Sequence, residues 1–122
     1  MKDKKIVIYG ANGYTAKLFA EHLIEKGYRP VLAGRSKKVE KTGEKLNCET
    51  RIFDTGTAQD HLSDVDVLVN LAGPFSITQN DLIKSCLQSK THYLDIAGEF
   101  AEVENAFKYD SEAKKARIVL LP

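Results

Sequence analysis

The segment from Lys4 to Ala16 constrains the fold more than any other part of this chain. A short β-branched run, Ile6-Val7-Ile8-Tyr9, collapses into Gly10-Ala11-Asn12-Gly13, and a helix-patterned stretch starts at once with Tyr14-Thr15-Ala16. Strand, tight turn and helix in succession set the helix N-terminus, with its unpaired N–H groups and positive dipole end, at the mouth of the turn. The first glycine permits the turn and the second lets phosphates approach the backbone. A small third residue, here Ala16, lets the helix lie close to the sheet. Gly10, Ala11, Asn12, Gly13, Tyr14 and Thr15 are therefore candidates for a dinucleotide pyrophosphate site. The spacing is G-x-x-G-x-x-A, a variant of G-x-G-x-x-G, and a plain glycine corner between a buried strand and a helix has the same appearance.

Apolar runs alternate with helix-patterned stretches along the whole chain, the mark of βαβ units and a parallel sheet. Strands are expected at 5–9, 30–33, 49–53, 66–71, 93–96 and 117–121, and helices at 14–26, 36–46, 78–88 and 99–113. On the first helix Leu18, Phe19, Leu23 and Ile24 are expected to face inward and Gly27 to end it, while Ser36 should cap the second. The near-continuous apolar run Asp66-Val67-Leu68-Val69-Asn70-Leu71 reads as a central strand buried on both faces, and 49–53, the least apolar, as an edge. Right-handed crossovers then favour a doubly wound, three-layer α/β/α domain spanning 1–122 with strand order 3-2-1-4-5-6. The close on Ile118-Val119-Leu120-Leu121-Pro122, an apolar strand without a polar tail, leads us to expect further chain after it.

Composition narrows the partners. A hydrophobic share of 43% and a charged share of 29% suit one soluble domain with a core, and a net charge of +1 offers nothing to nucleic acid or an anionic membrane. No apolar run approaches membrane-spanning length, and the charged start Met1-Lys2-Asp3-Lys4-Lys5 leads into a strand instead of a signal-peptide core. Cys48 and Cys86 form no C-x-x-C, so no zinc site or disulfide framework is expected and a cytoplasmic location is. His22, His61 and His92 have no partner at metal-ligand spacing and read as bystanders.

The strand ends carry the chemistry. An acid at the end of the second strand would take the ribose hydroxyls of NAD, but this chain has Ala33-Gly34-Arg35-Ser36. Arg35 suits a 2′-phosphate through charge-assisted bonds, Ser36 adds a hydroxyl, and Lys37 or Lys38 adds charge, so NADP(H) is the expected cofactor. A surface arginine after a strand is the plainer reading. At the fourth strand's end, Ala72 and Gly73 should let the cofactor pass close to the backbone beside Pro74. Phe75 has two readings, against the nicotinamide or in the core, and Asp54 has two, beside the adenine or capping the next turn. Asp95 either orders neighbouring loops or takes part in a proton step, since a buried carboxylate needs partners. The Tyr-x-x-x-Lys pair of short-chain dehydrogenases is missing, because Tyr109 and Lys114 are wrongly spaced to share a helix face.

Gly10-Ala11-Asn12-Gly13-Tyr14-Thr15-Ala16, Ala33-Gly34-Arg35-Ser36, Asn70-Leu71-Ala72-Gly73-Pro74-Phe75-Ser76 and Tyr93-Leu94-Asp95-Ile96-Ala97-Gly98-Glu99 occur in that order over essentially the whole chain. Together they resemble the NADP-binding domain of the saccharopine dehydrogenase-like reductases, a group that includes the trans-acting enoyl reductases. The resemblance implies a Rossmann domain with Gly10 and Gly13 at the pyrophosphate and Arg35 at the 2′-phosphate. Asn12 and Ala16 depart from the Thr and Gly usual in the family. The resemblance also implies a further domain that holds the small-molecule substrate and often dimerises, so a homo-oligomer is an implied partner. An oxidoreductase domain that positions nicotinamide for hydride transfer is the leading expectation. A stand-alone NADPH sensor without turnover is the alternative, and a mononucleotide-binding domain lacks the Walker lysine pattern.

Overall fold

The computed structural model describes residues 3–122; Met1 and Lys2, the start of the charged lead-in, lie outside the described residues. Six parallel strands form one sheet in the order β3-β2-β1-β4-β5-β6. They are β1 Ile6–Tyr9, β2 Val31–Gly34, β3 Thr50–Ile52, β4 Val67–Asn70, β5 His92–Asp95 and β6 Leu120–Leu121. The helices are α1 Tyr14–Glu25, α2 Lys38–Leu46, α3 Phe75–Ser89, α4 Phe100–Phe107 and α5 Asp110–Ala116, with a 3-10 helix at Thr55–His61. This is the doubly wound topology expected from the alternating pattern.

Alternation along each strand sorts the core into two clusters. Ile8 and Leu32 face α1 and α2 and pack with Ala11, Ala16, Ala20 and Val39. Val7, Tyr9, Ala33, Leu68 and Tyr93 face the other way, against Leu82, Ile83 and Cys86 of α3 and Ala58 of the 3-10 helix. Burial pushes the Cys86 thiol up to about 12, as befits a small core residue. Gly27, at φ +94°, ends α1 in a Schellman motif, its N–H bonding Ile24 O at 3.0 Å and that of Tyr28 bonding Leu23 O at 3.0 Å. The register pairs Tyr9 with Ala33 and Asn70, and Asn70 with Asp95, so the exits of β2, β1, β4 and β5 line up along one edge of the sheet.

Several local expectations need correction. Leu18 is 49% exposed, because the close-packed side of α1 is set by Ala16 and Ala20, and a residue two positions from Ala16 points nearly opposite. Between the expected strands at 49–53 and 66–71, where no helix is expected, Asp54 caps a 3-10 helix that packs on the core through buried Ala58. The expected helix at 99–113 is two helices. Between them Lys108 and Tyr109 turn their N–H groups to the i−3 carbonyls of Asn105 and Ala106 at 3.2 and 3.1 Å, tightening the backbone out of α-helical register. Arg51 pins the 3-10 segment to edge strand β3, bonding His61 O at 2.7 Å and both Asp64 oxygens at 2.8 Å. That pairing, with Lys5 beside it, holds the Asp64 carboxyl well below the usual carboxylate range.

Candidate functional site

Where the strand exits converge there is a cleft of about 370 Å³, lined by Tyr9, Gly10, Asn12, Arg35, Ser36, Asp54, Thr55, Ala72, Gly73, Pro74, Ile77 and Thr78. Four chain segments widely spaced in sequence, the exits of β1, β2, β3 and β4, meet there. Of the residues singled out in the sequence, Gly10, Asn12, Arg35, Ser36, Asp54, Ala72, Gly73 and Pro74 face it together.

The first wall is the turn after β1. Gly10 has φ +84°, and a Cβ there would stand 2.8–2.9 Å from the backbone and Cβ of Ala72, so both conformation and packing demand glycine. The Gly10 and Ala11 N–H groups donate to Ala33 O at 2.9 and 3.0 Å, and Gly13 N–H returns to Gly10 O at 3.1 Å. Gly13 is the N-cap of α1 and no side chain caps the helix, so its first-turn amides have no side-chain acceptor. At φ −82° Gly13 sits where any residue can, and a Cβ there would meet only Gly10 O at 3.4 Å. Ala11 is buried, Tyr14 points to solvent at 80% exposure, and Thr15 faces a separate groove on the α1 side of the sheet.

The second wall carries charge. Arg35 is exposed just past β2, and among the described residues its guanidinium makes no hydrogen bond or ion pair. Ser36 Oγ accepts the Lys38 N–H at 3.1 Å, so it caps the start of α2 one residue ahead of Lys37 while its hydroxyl proton is not consumed by that bond. Asp54 Oδ1 accepts from Gly56 N–H at 3.1 Å and Thr57 Oγ1 at 3.3 Å; it caps the 3-10 helix and lines the cleft at once. Tyr9 lies beneath, its hydroxyl donating to Phe53 O at 3.0 Å. Burial raises the Tyr9 pKa, the Asp54 charge adds to the rise, and Arg35 opposes it.

The third wall is the turn after β4, and buried side chains shape it. Asn70 Oδ1 accepts the Ala72 N–H at 3.0 Å, and Thr78 Oγ1 donates to Ala72 O at 2.9 Å, so both polar groups of that residue's backbone are clamped. Asn70 Nδ2 in turn donates to Thr78 Oγ1 at 3.0 Å and to the Tyr93 hydroxyl at 3.1 Å. Tyr93 donates to Asp95 Oδ2 at 2.5 Å, which also accepts from Gln79 Nε2 at 3.1 Å, while Asp95 Oδ1 takes the Ala97 N–H at 3.0 Å. Among the described residues no buried side-chain polar atom lacks a partner. Of the two readings of Asp95, this geometry fills the loop-ordering one: its oxygens are engaged and it ties the exits of β4 and β5. Burial, reinforced by the bond to Asp95, drives the Tyr93 pKa far above that of a free phenol.

Beyond the turn, the Gly73–Pro74 peptide bond is cis, and a Cβ on Gly73 would meet nothing within 4 Å. Phe75 is half-buried as the first residue of α3 and is not part of the cleft lining. The helix starts there, ahead of the expected 78, so Ile77 belongs to it; Ile77 and Thr78 both line the cleft, and neither is a candidate in the sequence reading. Tyr9 and Thr55 carried a weak signal, each being the neighbour of a residue already singled out. Among the described residues no three His, Cys, Asp or Glu side chains are grouped to hold a metal, and no helix is long and apolar enough to cross a membrane.

Known proteins are similar to this chain in sequence and fold. The family described as "Saccharopine dehydrogenase NADP binding domain" matches residues 6–121. A lipid droplet localized protein of Caenorhabditis elegans is 25% identical over 139 residues, covering 99% of this chain and 33% of its own length. A trans-acting enoyl reductase of Mycobacterium bovis is 30% identical over 134 residues, covering 98% and 32%. The chain thus spans about a third of the length of these relatives. Among solved structures, saccharopine dehydrogenase (L-Glu forming) from Saccharomyces cerevisiae superposes with TM-score 0.81 at 18% identity, over 96% of this chain and 26% of that one. Yeast methylglyoxal/isovaleraldehyde reductase, solved with NADPH, gives 0.75 at 15% identity over 95% and 52%.

Proposed function

The chain belongs to the family of saccharopine dehydrogenase NADP binding domains, and from that premise we propose that its cleft binds NADP(H) in preference to NAD(H). In this reading the pyrophosphate lies against the Gly10–Thr15 turn and the uncapped start of α1. Arg35, with the Ser36 hydroxyl, takes the 2′-phosphate, and Asp54 borders the adenine. Ala72, Gly73 and Pro74 admit the nicotinamide end, with Phe75 behind them.

The observation that carries the preference is the guanidinium of Arg35, exposed beside the cleft without a partner of its own, at the strand end where an acid would serve NAD. Two glycines support the fit. Neither Gly13 nor Gly73 is required by its backbone angle or by crowding within the chain, so close approach of a ligand accounts for both. The bound nicotinamide ring supplies hydride-transfer chemistry; the residues of this chain hold and orient it. The substrate, its proton donor and any oligomer contact belong to polypeptide that the relatives carry outside the matched third.

Isothermal titration of the protein with NADPH and with NADH tests the reading. Binding of NADPH over NADH is expected. Arg35→Ala should weaken NADPH by roughly ten- to a hundredfold, the loss of one charged hydrogen bond of about 1.5–3 kcal/mol, and leave NADH nearly unchanged. An unchanged ratio removes Arg35 from the role. Binding of neither nucleotide, or preference for NADH, overturns the proposal.

A further inference from the structure

The two faces of the sheet are covered unequally. On the face beneath α1 and α2, Ile8 and Leu32 are wholly buried and Val69 of β4 is 6% exposed, but Ile96 just past β5 and Leu121 of β6 stand 59% and 56% exposed. The opposite face shows no such gradient across the same strands: Leu68 and Tyr93 are wholly buried, and Ile118, leading into β6, is 8% exposed. The cause is the handedness of the crossovers. Moving outward from β1 to β3, the connecting helices fall on one face; moving outward from β4 to β6, they fall on the other. Among the described residues no helix covers the α1-side face of β5 and β6.

Parallel strands are ordinarily buried on both faces, and a contiguous apolar surface of this kind marks a contact. The surface is concave. Phe19 on α1 forms one bank of a groove of about 360 Å³ whose floor and far bank include Leu71, Leu94, Ile96 and Leu121, and Pro122 lies on its rim. Backbone pairing cannot fill it, since a sheet face offers side chains and not N–H or C=O groups. An apolar helix stripe is the element that packs on such a face.

We propose that an apolar-faced α-helix, from polypeptide lying C-terminal to Pro122, seats in this groove and completes the missing layer. Two observations name that source. The relatives are about three times as long as the matched span, the chain covering 33% and 32% of the two described above. Pro122 itself lines the groove, so a residue bonded after it would stand at the groove's edge. The groove is separate from the cleft, and the inference does not depend on which nucleotide the cleft binds.

The test is thiol accessibility. Ile96→Cys and Leu121→Cys are each made in a Cys48→Ser background, in the 122-residue span and in the complete product of the reading frame, and labelled with a maleimide. Lys84→Cys, on the exposed side of α3, is the control. Labelling at 96 and 121 is expected to be at least about tenfold slower in the complete product, with the control unchanged. A short bifunctional cross-linker placed on Ile96→Cys is expected to join it to a segment beyond residue 122. Equal rates in both proteins, slowing of the short span that grows with its concentration (a second copy in the groove), a cross-link elsewhere, or a reading frame that stops at Pro122 each overturn the proposal.

Discussion

Two turns face each other across the cleft, and they are held by different means. The turn after β1 is built from its own backbone: Gly10 and Ala11 donate to Ala33 O, Gly13 closes on Gly10 O, and the positive φ of Gly10 does the rest. The turn after β4 is built from side chains recruited from elsewhere, with Asn70 and Thr78 gripping Ala72 while Tyr93, Asp95 and Gln79 hold the grip in place. The two meet where Ala72 presses on Gly10. A locally built turn owes its shape to one or two residues. A turn built by a network shares its shape among many, and each loss is partly absorbed.

The largest effect is therefore expected at the contact itself. Gly10→Ala combines a disfavoured left-handed backbone with a clash against backbone atoms of Ala72, and should cost roughly 3 kcal/mol of stability. Urea unfolding measures it; a loss under about 1 kcal/mol would mean that the two walls move apart freely. Next comes the network. Asn70→Ala leaves the Ala72 N–H and the Thr78 and Tyr93 hydroxyls short of a partner and should cost roughly 2 kcal/mol. Thr78→Val removes only the bond to Ala72 O and the bond from Asn70, for about 1 kcal/mol. In a double-mutant cycle the two losses should be markedly less than additive, and simple additivity would show that they do not act as one clamp. The smallest effect on stability belongs to Gly13→Ala, within about 0.5 kcal/mol of the parent, since neither φ nor crowding forbids a methyl group there. Its effect should fall on NADPH affinity instead; an affinity equal to the parent's would leave Gly13 without a ligand-binding role.

The same contrast explains what was legible. The turn after β1 and the basic corner at Arg35 could be read because their chemistry lies within a few consecutive residues. Strand order followed too, since the alternation of apolar runs and crossover handedness leave few topologies open. Asp95 stood out as a buried acid with two open roles, and only its partners on α3 and β5 distinguish them. Thr78 and Gln79 fall inside the expected helix at 78–88, but nothing local marks their roles, because their partners Ala72 and Asp95 lie on other elements. The side of α1 was misjudged at Leu18, where the largest apolar residues drew attention and the small Ala16 and Ala20 make the close contact. Asp54, which had two readings, caps the 3-10 helix and also borders the cleft.

By itself the sequence determined the doubly wound sheet, the glycine turn at its centre and the absence of an acid at the end of β2. Each of these is encoded in a local pattern: periodicity, a residue that tolerates positive φ, a charge at a strand end. Only the tertiary structure decided how the turn after β4 is clamped, which side chains line the cleft together, and that one face of the sheet is left bare at its β5–β6 end. Those depend on partners far apart in the chain, and on the handedness with which each helix returns to the sheet.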